Sequence, residues 1–253
     1  MNYDIFIPVR LSNTRLPKKA MKEIDGKPII KYLIERLQHA KKIRNIVVCT
    51  TNLQSDDPLV EFLKKEKIHV FRGSEKDVLV RFLDAANYFG TDFIVNVDGD
   101  DVYTDPAYVD KIIDESEMTN ADYINMKGFP LGFAPVGFKT VALKKICELK
   151  ITNNTETGYR DFFIEANIFK VKTLEPEPSL KFHENLRLTL DYEEDFNLVK
   201  QVFKMLGNDF HLHDLLKLFE MHPHLLKITE GLDVRWKTHW DKNLADFSVK
   251  TTT

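Results

Sequence analysis

The chain has 253 residues, 43% of them hydrophobic and 30% charged, with a formal net charge of -3; that length buries a substantial core in one large α/β domain or two small ones. A slightly acidic total argues against a general nucleic-acid binder, because no basic field covers the surface. Cys49 and Cys147 sit in apolar contexts and read as buried thiols of a reducing compartment. With no basic segment leading into a long apolar one, and no run long enough to cross a bilayer, a cytoplasmic protein with no membrane partner is expected.

Short apolar runs alternate with amphipathic helical patterns, which predicts an α/β fold with a mostly parallel sheet and helices on both faces. Residues Tyr3 to Arg10 carry a strand pattern. Pro28 opens a helix at a favourable first-turn position, and Ile30, Leu33, Ile34 and Leu37 give it an apolar face. Asn45 to Thr51 reads as a buried strand. Asp56 and Asp57 precede Pro58 and are expected to cap a helix to about Lys65. A short strand follows at His69 to Phe71, then a helix from Lys76 to Phe89 that stops at Gly90. Phe93 to Val97 is a central strand, Pro106 begins a helix, and Tyr123 to Met126 is the next strand. From 127 to about 182 the pattern turns irregular, punctuated by glycine and proline. This stretch reads as an inserted acceptor-binding and oligomer-forming region of one domain spanning 1–253. Arg187 to Leu190 is expected as strand, Tyr192 to Leu206 as helix, and Asp209 to Met221 as the last helix. A C-terminal tail, about 226–253, carries both tryptophans, Trp236 and Trp240.

Three charged clusters fall at predicted strand ends, where open α/β sheets bind ligands. Arg10, Arg15, Lys18 and Lys19 follow the first strand. Such a loop is a natural phosphate receptor, although a solvated basic turn has the same composition. It has no glycine and no Gly-Lys-Ser/Thr ending, so it is not a Walker A loop. Asp98 and Asp100 follow another strand and Asp191 ends a third. Each aspartate alone reads equally as a turn or cap residue. Together with the cations they describe a metal–nucleotide site. Five of the eight histidines, at 211, 213, 222, 224 and 239, crowd the C-terminal part, but none are paired at the i,i+4 helical spacing of a metal motif, so they read as solvated surface.

Arg10-x4-Arg15-Leu16-Pro17-x-Lys19 followed by Asp25-Gly26-Lys27-Pro28 resembles the nucleotide-binding signature of the cytidylyltransferases that make CMP-sugars, namely the 3-deoxy-manno-octulosonate, acylneuraminate and spore-coat polysaccharide types. Arg72-Gly73-Ser74-Glu75-Lys76-Asp77, Asn96-Val97-Asp98-Gly99-Asp100 and Arg187-Leu188-Thr189-Leu190-Asp191 match further segments in collinear order, over roughly 3 to 206. The resemblance implies a Rossmann-like three-layer α/β/α nucleotidyltransferase fold and transfer of CMP from CTP to a small acidic sugar, with Mg²⁺ as cofactor and a homodimer as assembly. It implies that Asp100 and Asp191 bind the metal, that Arg10, Arg15 and Lys19 hold the triphosphate and with Asp100 carry catalysis, and that Leu11, Ser12, Arg72, Ser74, Asp77 and Asp98 complete the nucleotide site. Lys127, Tyr159 and Arg160 are the acceptor candidates. The chain departs from the pattern at Lys18, where glycine is usual, at Asp101-Val102, and in the segment Phe129 to Phe138, which lacks the acidic residues of the spore-coat type.

The chemistry of nucleotidyl transfer requires these residue types. An in-line attack on the α-phosphorus expels pyrophosphate, so charge grows on oxygens that positioned cations and a hard metal stabilise. Three rival readings remain at this level: a sugar-phosphate nucleotidyltransferase using another base, a glycosyltransferase using Asp98-Gly99-Asp100 as its D-x-D, and a non-catalytic nucleotide-binding protein. For Asp77 and Arg81 the plainer reading is a helical i,i+4 ion pair, worth a few tenths of a kcal/mol.

Overall fold

The computed structural model describes residues 1–184 and 186–250. In chain order it contains β1 (Tyr3–Pro8), β2 (Glu23–Ile24), β3 (Lys27–Pro28), α1 (Ile29–Leu37), β4 (Asn45–Thr51), α2 (Asp57–Lys65), β5 (His69–Gly73), α3 (Val78–Phe89), β6 (Phe93–Asn96) and α4 (Pro106–Thr119). There follow β7 (Tyr123–Met126), β8 (Val136–Lys139), α5 (Thr140–Leu149), α6 (Phe162–Glu165), β9 (Val171–Leu174), α7 (Glu193–Leu206), α8 (Leu212–Met221) and α9 (Leu232–Asn243). The central sheet has seven strands in the order β5-β4-β1-β6-β8-β7-β9. Only β8 runs against the others: it pairs antiparallel with both β6 and β7, whereas β1, β4, β5 and β6 are mutually parallel and β9 is parallel to β7.

The three layers follow from strand alternation. In β1, Ile5 and Ile7 point to one face, where they pack with Ile30, Leu33 and Leu37 of α1, Leu59 and Leu63 of α2, and Ile112 of α4. Phe6, between them, points to the other face and packs with Leu79 and Phe82 of α3 and Leu143 and Ile146 of α5. A further cluster joins α7 and α8 to Ile29, Tyr103, Phe133 and Leu188. Helix ends obey local chemistry. Asp77 caps α3 by accepting from the Val80 amide at 3.2 Å, and Gly90 at φ 63 ends it; Asp105 does the same for α4 through the Ala107 amide. No helix among the described residues is long and apolar enough to cross a membrane.

Several elements differ from the sequence reading. Asp56 does not cap α2 with its side chain. Its buried carboxylate instead accepts from the Leu11 amide at 2.8 Å, the Thr51 amide and the Thr50 hydroxyl, tying the segment after β1 to the end of β4. Residues 127–182 are more regular than their glycine and proline content implied, because β8 lies inside the sheet and α5 covers it. Arg187 to Leu190 is extended but stands outside the sheet, held by a bridge to Leu131 and by the Leu190 amide on the Asp100 carbonyl, 3.0 Å. The helix at 209–221 is not the last: α9 follows and carries both tryptophans.

Candidate functional site

From β1 the chain moves outward to β4 and β5, then returns to place β6 on β1's other side. The crevice at that reversal, beyond the carboxyl ends of β1 and β6, is where such sheets bind ligands. The loop after β1 is pinned by buried Leu11 and Leu16 and by the Leu11 amide on Asp56. Lys18 adopts φ 55 in the left-handed region, just before a 3-10 turn at Lys19–Met21. That conformation favours glycine and costs a lysine roughly 1 kcal/mol.

The turn delivers the Lys19 ammonium between two carboxylates, 2.6 Å from Asp100 Oδ2 and 2.9 Å from Asp191 Oδ1. Asp100 comes from the loop after β6. Gly99 lets that loop lie on the end of β1, since a Cβ there would sit 2.5 Å from Val9 Cγ2 and 3.0 Å from the Pro8 carbonyl oxygen. Asp191 arrives on the extended 187–191 segment, which presses on Gly132 so closely that a Cβ would lie 2.4 Å from Thr189 Cβ. Arg15 Nη2 donates to Asp191 Oδ1 at 2.6 Å. Arg187, itself 1% exposed, holds Asp191 Oδ2, Asp195 Oδ1 and Asp233 Oδ1, each at 3.0 Å. Asp195, not Asp191, caps α7, accepting from the Asp191 and Tyr192 amides at 2.8 and 2.9 Å. Burial acts against the Lys19 charge, but Asp100 and Asp191 outweigh it and push its pKa to about 12. Burial likewise opposes the Asp191 charge, yet Lys19, Arg15 and Arg187 hold its carboxyl below the usual range. Asp100 goes the other way: burial, with Asp191 and Asp98 nearby, outweighs Lys19 and raises it.

A second cluster stands beside the first. Tyr159 donates to Asn96 Oδ1 at 2.9 Å and to Asp98 Oδ1. Arg160 donates to Asn96 Oδ1 through Nε at 2.8 Å and places Nη2 3.0 Å from Asp98 Oδ2. Glu156 joins Arg10, at 3.2 Å, to buried Arg81, at 2.7 Å. These groups line a cavity of about 470 Å³ and an adjoining recess of about 340 Å³, which share Arg10, Arg15, Lys19, Asp191, Glu156 and His239.

The structure therefore brings Arg10, Arg15, Lys19, Asp98, Asp100, Asp191, Tyr159 and Arg160 to the larger cavity and Ser12 to the recess. Five other candidates do not line either space. The Leu11 side chain is buried and its amide is spent on Asp56. Arg72 donates to the Thr51 and Leu53 carbonyls and pairs with Asp57 at 2.7 Å. Ser74 accepts from the Asp77 amide. Asp77 caps α3 and binds Lys150 and Thr155, so the expected Asp77–Arg81 pair does not form. Arg81 instead reaches the Ser74 and Glu75 carbonyls and Glu156. Exposed Lys127 donates its amide to the Leu174 carbonyl at 2.9 Å. Sequence reasoning passed over Asn96 and Arg187, which lie within quoted motifs, and Glu156, Arg81, Trp236 and Trp240, whose place at the cavity depends on long-range packing without local signal. Among the described residues no group of three or more His, Cys, Asp or Glu forms a ready-made metal cage; His211 pairs with Asp105 at 2.9 Å.

Comparison with known proteins agrees with this fold. The family model described as cytidylyltransferase matches residues 5–202. An uncharacterized protein of Methanocaldococcus jannaschii is 32% identical over 92% of this chain and 96% of its own length. A spore coat polysaccharide biosynthesis protein of Bacillus subtilis is 26% identical over 88% of this chain and 96% of its own. A cytidylyltransferase from Leptospira borgpetersenii superposes with a TM-score of 0.81 at 27% identity, covering 89% of this chain and 97% of that one.

Proposed function

This chain belongs to the cytidylyltransferase family of nucleotidyltransferases, and we propose that it transfers CMP from CTP to a sugar acid, releasing pyrophosphate. The observation that carries the reading is the convergence of Arg15, Lys19, Asp100 and Asp191 on one point beyond β1 and β6. Arg15 Nη1 is buried with no hydrogen-bond partner among the described residues. A buried guanidinium nitrogen left unpaired is costly, and a phosphate oxygen satisfies it. Arg10, Arg15 and Lys19 hold the triphosphate, with the arginines supplying planar, bidentate donors.

The carboxylates also fit a divalent cation. Asp100 Oδ2 and Asp191 Oδ1 both contact the one Lys19 ammonium, so a single cation already bridges two hard oxygen ligands. Two carboxylates plus substrate phosphates and water are the usual environment of Mg²⁺. When bound there, Mg²⁺ would draw off negative charge from the phosphates as pyrophosphate leaves. On the acceptor side, Arg160 and Tyr159 stand next to the Asp98 loop, and a guanidinium at that place suits a sugar carboxylate.

The test is pyrophosphate release from CTP and Mg²⁺ over a panel of sugar acids and sugar phosphates. Release with a sugar acid supports the reading; release only with a sugar phosphate, or with none, overturns it. In parallel, calorimetry on folded Arg15→Ala should show CTP affinity lowered by about tenfold or more, since charge-assisted bonds are each worth roughly 1.5–3 kcal/mol. Wild-type affinity would remove the phosphate role.

A further inference from the structure

The two tryptophans of the chain lie one turn apart on α9, with ring centroids 5.0 Å apart and planes at 28°. Both line the larger cavity and neither lines the recess. Leu232 is the one fully buried residue of this twelve-residue helix, so α9 is not held by a core of its own. It is fastened by charge: Asp233 to Arg187 at 3.0 Å, Arg235 to Glu194 at 3.3 Å, and the Arg235 guanidinium 4.4 Å from the centre of the Tyr192 ring. The match to the family model stops at residue 202, before α9 begins. A weakly packed helix that turns its two largest apolar side chains toward a charged cavity needs an explanation, because half-buried indole normally finds a core.

We infer that the stacked Trp236–Trp240 pair is the acceptor platform: it takes the apolar C–H face of the sugar-acid ring while Arg160 pairs with the carboxylate. The inference rests on the proposed sugar-acid acceptor and adds the subsite that receives it. Ligand pockets combine aromatic walls with a few placed polar groups, and this cavity has that division. Arg160 Nη2 is buried, 3.0 Å from Asp98 Oδ2 but without a hydrogen bond of good geometry, so one of its N–H groups is open to the acceptor. Aromatic rings also stack on nucleobases, but the pair belongs to the cavity with Asp98 and Arg160, whereas Glu75 and Lys76 line the recess beside the Arg10–Arg15 loop.

Because there is no third tryptophan, tryptophan emission excited selectively over that of tyrosine reports on this platform alone. With CTP and Mg²⁺ present, 3-deoxy-manno-octulosonate and N-acetylneuraminate serve as probes, and at least one should shift the emission saturably. CTP and Mg²⁺ without the probes should leave it nearly unchanged. Trp236→Ala and Trp240→Ala should raise the acceptor KM by about tenfold, equivalent to roughly 1.4 kcal/mol, while CTP affinity by calorimetry stays within about twofold. Trp→Phe at each position should restore most of the loss. Three outcomes overturn the inference: turnover of a probe without any emission change, an unchanged acceptor KM in variants that melt like the wild type, or equal weakening of CTP binding, which would give the platform to the base. Absence of pyrophosphate release from the wild-type protein with every sugar acid would instead remove the acceptor class itself, and this subsite with it.

Discussion

Asp101 carries the least compensated charge of the site. It is 5% exposed, and the nearest cation, Arg160 Nη2, is 4.0 Å away. Burial pushes its carboxyl well above the usual range, Asp98 and Asp100 push the same way, and Arg160 offsets only part. A carboxyl raised in the folded state binds more protons there than in the unfolded chain, so stability falls as pH rises from the unfolded value near 4 toward the folded one. Asp101→Asn removes that cost. The variant should melt above the wild type at neutral pH, with each ~1 kcal/mol appearing as roughly 2–4 °C, and the gap should close as pH falls. Asp191 has the opposite sign: lowered by Lys19, Arg15 and Arg187 against its burial, it stabilises above the usual carboxylate range and stops doing so as pH falls through its folded value. Asp191→Asn should therefore melt below the wild type at neutral pH, and that deficit should shrink in acid. Thermal melts of both variants from about pH 2 to 8 check the pair, because the Asp191 contribution is lost only below the unfolded carboxylate value near 4. A gap of the same sign for both variants, or one independent of pH, would contradict the assignment.

Among the elements, the helices and strands with internal periodicity were legible and the ones held by side-chain charge were not. β4 and β7 run over the expected residues, Asn45–Thr51 and Tyr123–Met126, because continuous apolar runs bounded by polar residues admit few other structures. The α1 face at Ile30, Leu33, Ile34 and Leu37 is buried as its spacing implied. Arg187 to Leu190 alternates like a strand, yet its partners are the Leu131 and Asp100 carbonyls, a pairing that local sequence does not encode. α9 has Leu232 as its one buried residue, so no apolar stripe announced it. Arg187 links these last two elements, binding Asp191, Asp195 and Asp233 at once. Removing Arg187 takes the cation from Asp195 and Asp233, while Asp191 keeps Arg15 and Lys19; loss of one partner of a buried ion pair costs about 3–5 kcal/mol. Arg187→Ala should show that loss in urea unfolding. Its tryptophan emission should also shift to the red in the folded state, because α9 loses its Asp233 anchor. A stability change under about 1 kcal/mol with unaltered emission would show that α7 and α9 are held by other contacts.

At the scale of the whole molecule, the site was legible because its charges sit at the ends of strands that the sheet topology gathers. Arg15, Lys19, Asp100 and Asp191 meet through two ammonium–carboxylate contacts and one guanidinium contact. Arg72 and Asp77, expected at the base, are bonded within the fold, and the recess lined by Glu75, Lys76, Asn154 and Glu156 is the space we propose for the base. Their polarity bears on base choice. Glu75 and Glu156 are hydrogen-bond acceptors, and a carboxylate accepts from the exocyclic amine of cytosine. Uracil presents a carbonyl oxygen at the same position and would meet a carboxylate oxygen. UTP is therefore the informative competitor, since it matches CTP in size, sugar and phosphates. Stabilisation by a ligand follows the logarithm of its concentration over its dissociation constant, so a tenfold preference appears as about 1.4 kcal/mol at saturation. In a thermal-shift series with Mg²⁺ and equal nucleotide, CTP should raise the melting temperature by roughly 3–6 °C more than UTP for a tenfold preference, and more than ATP or GTP. Equal shifts for all four would mean that the loop after β1 reads the triphosphate and that the recess reads no base.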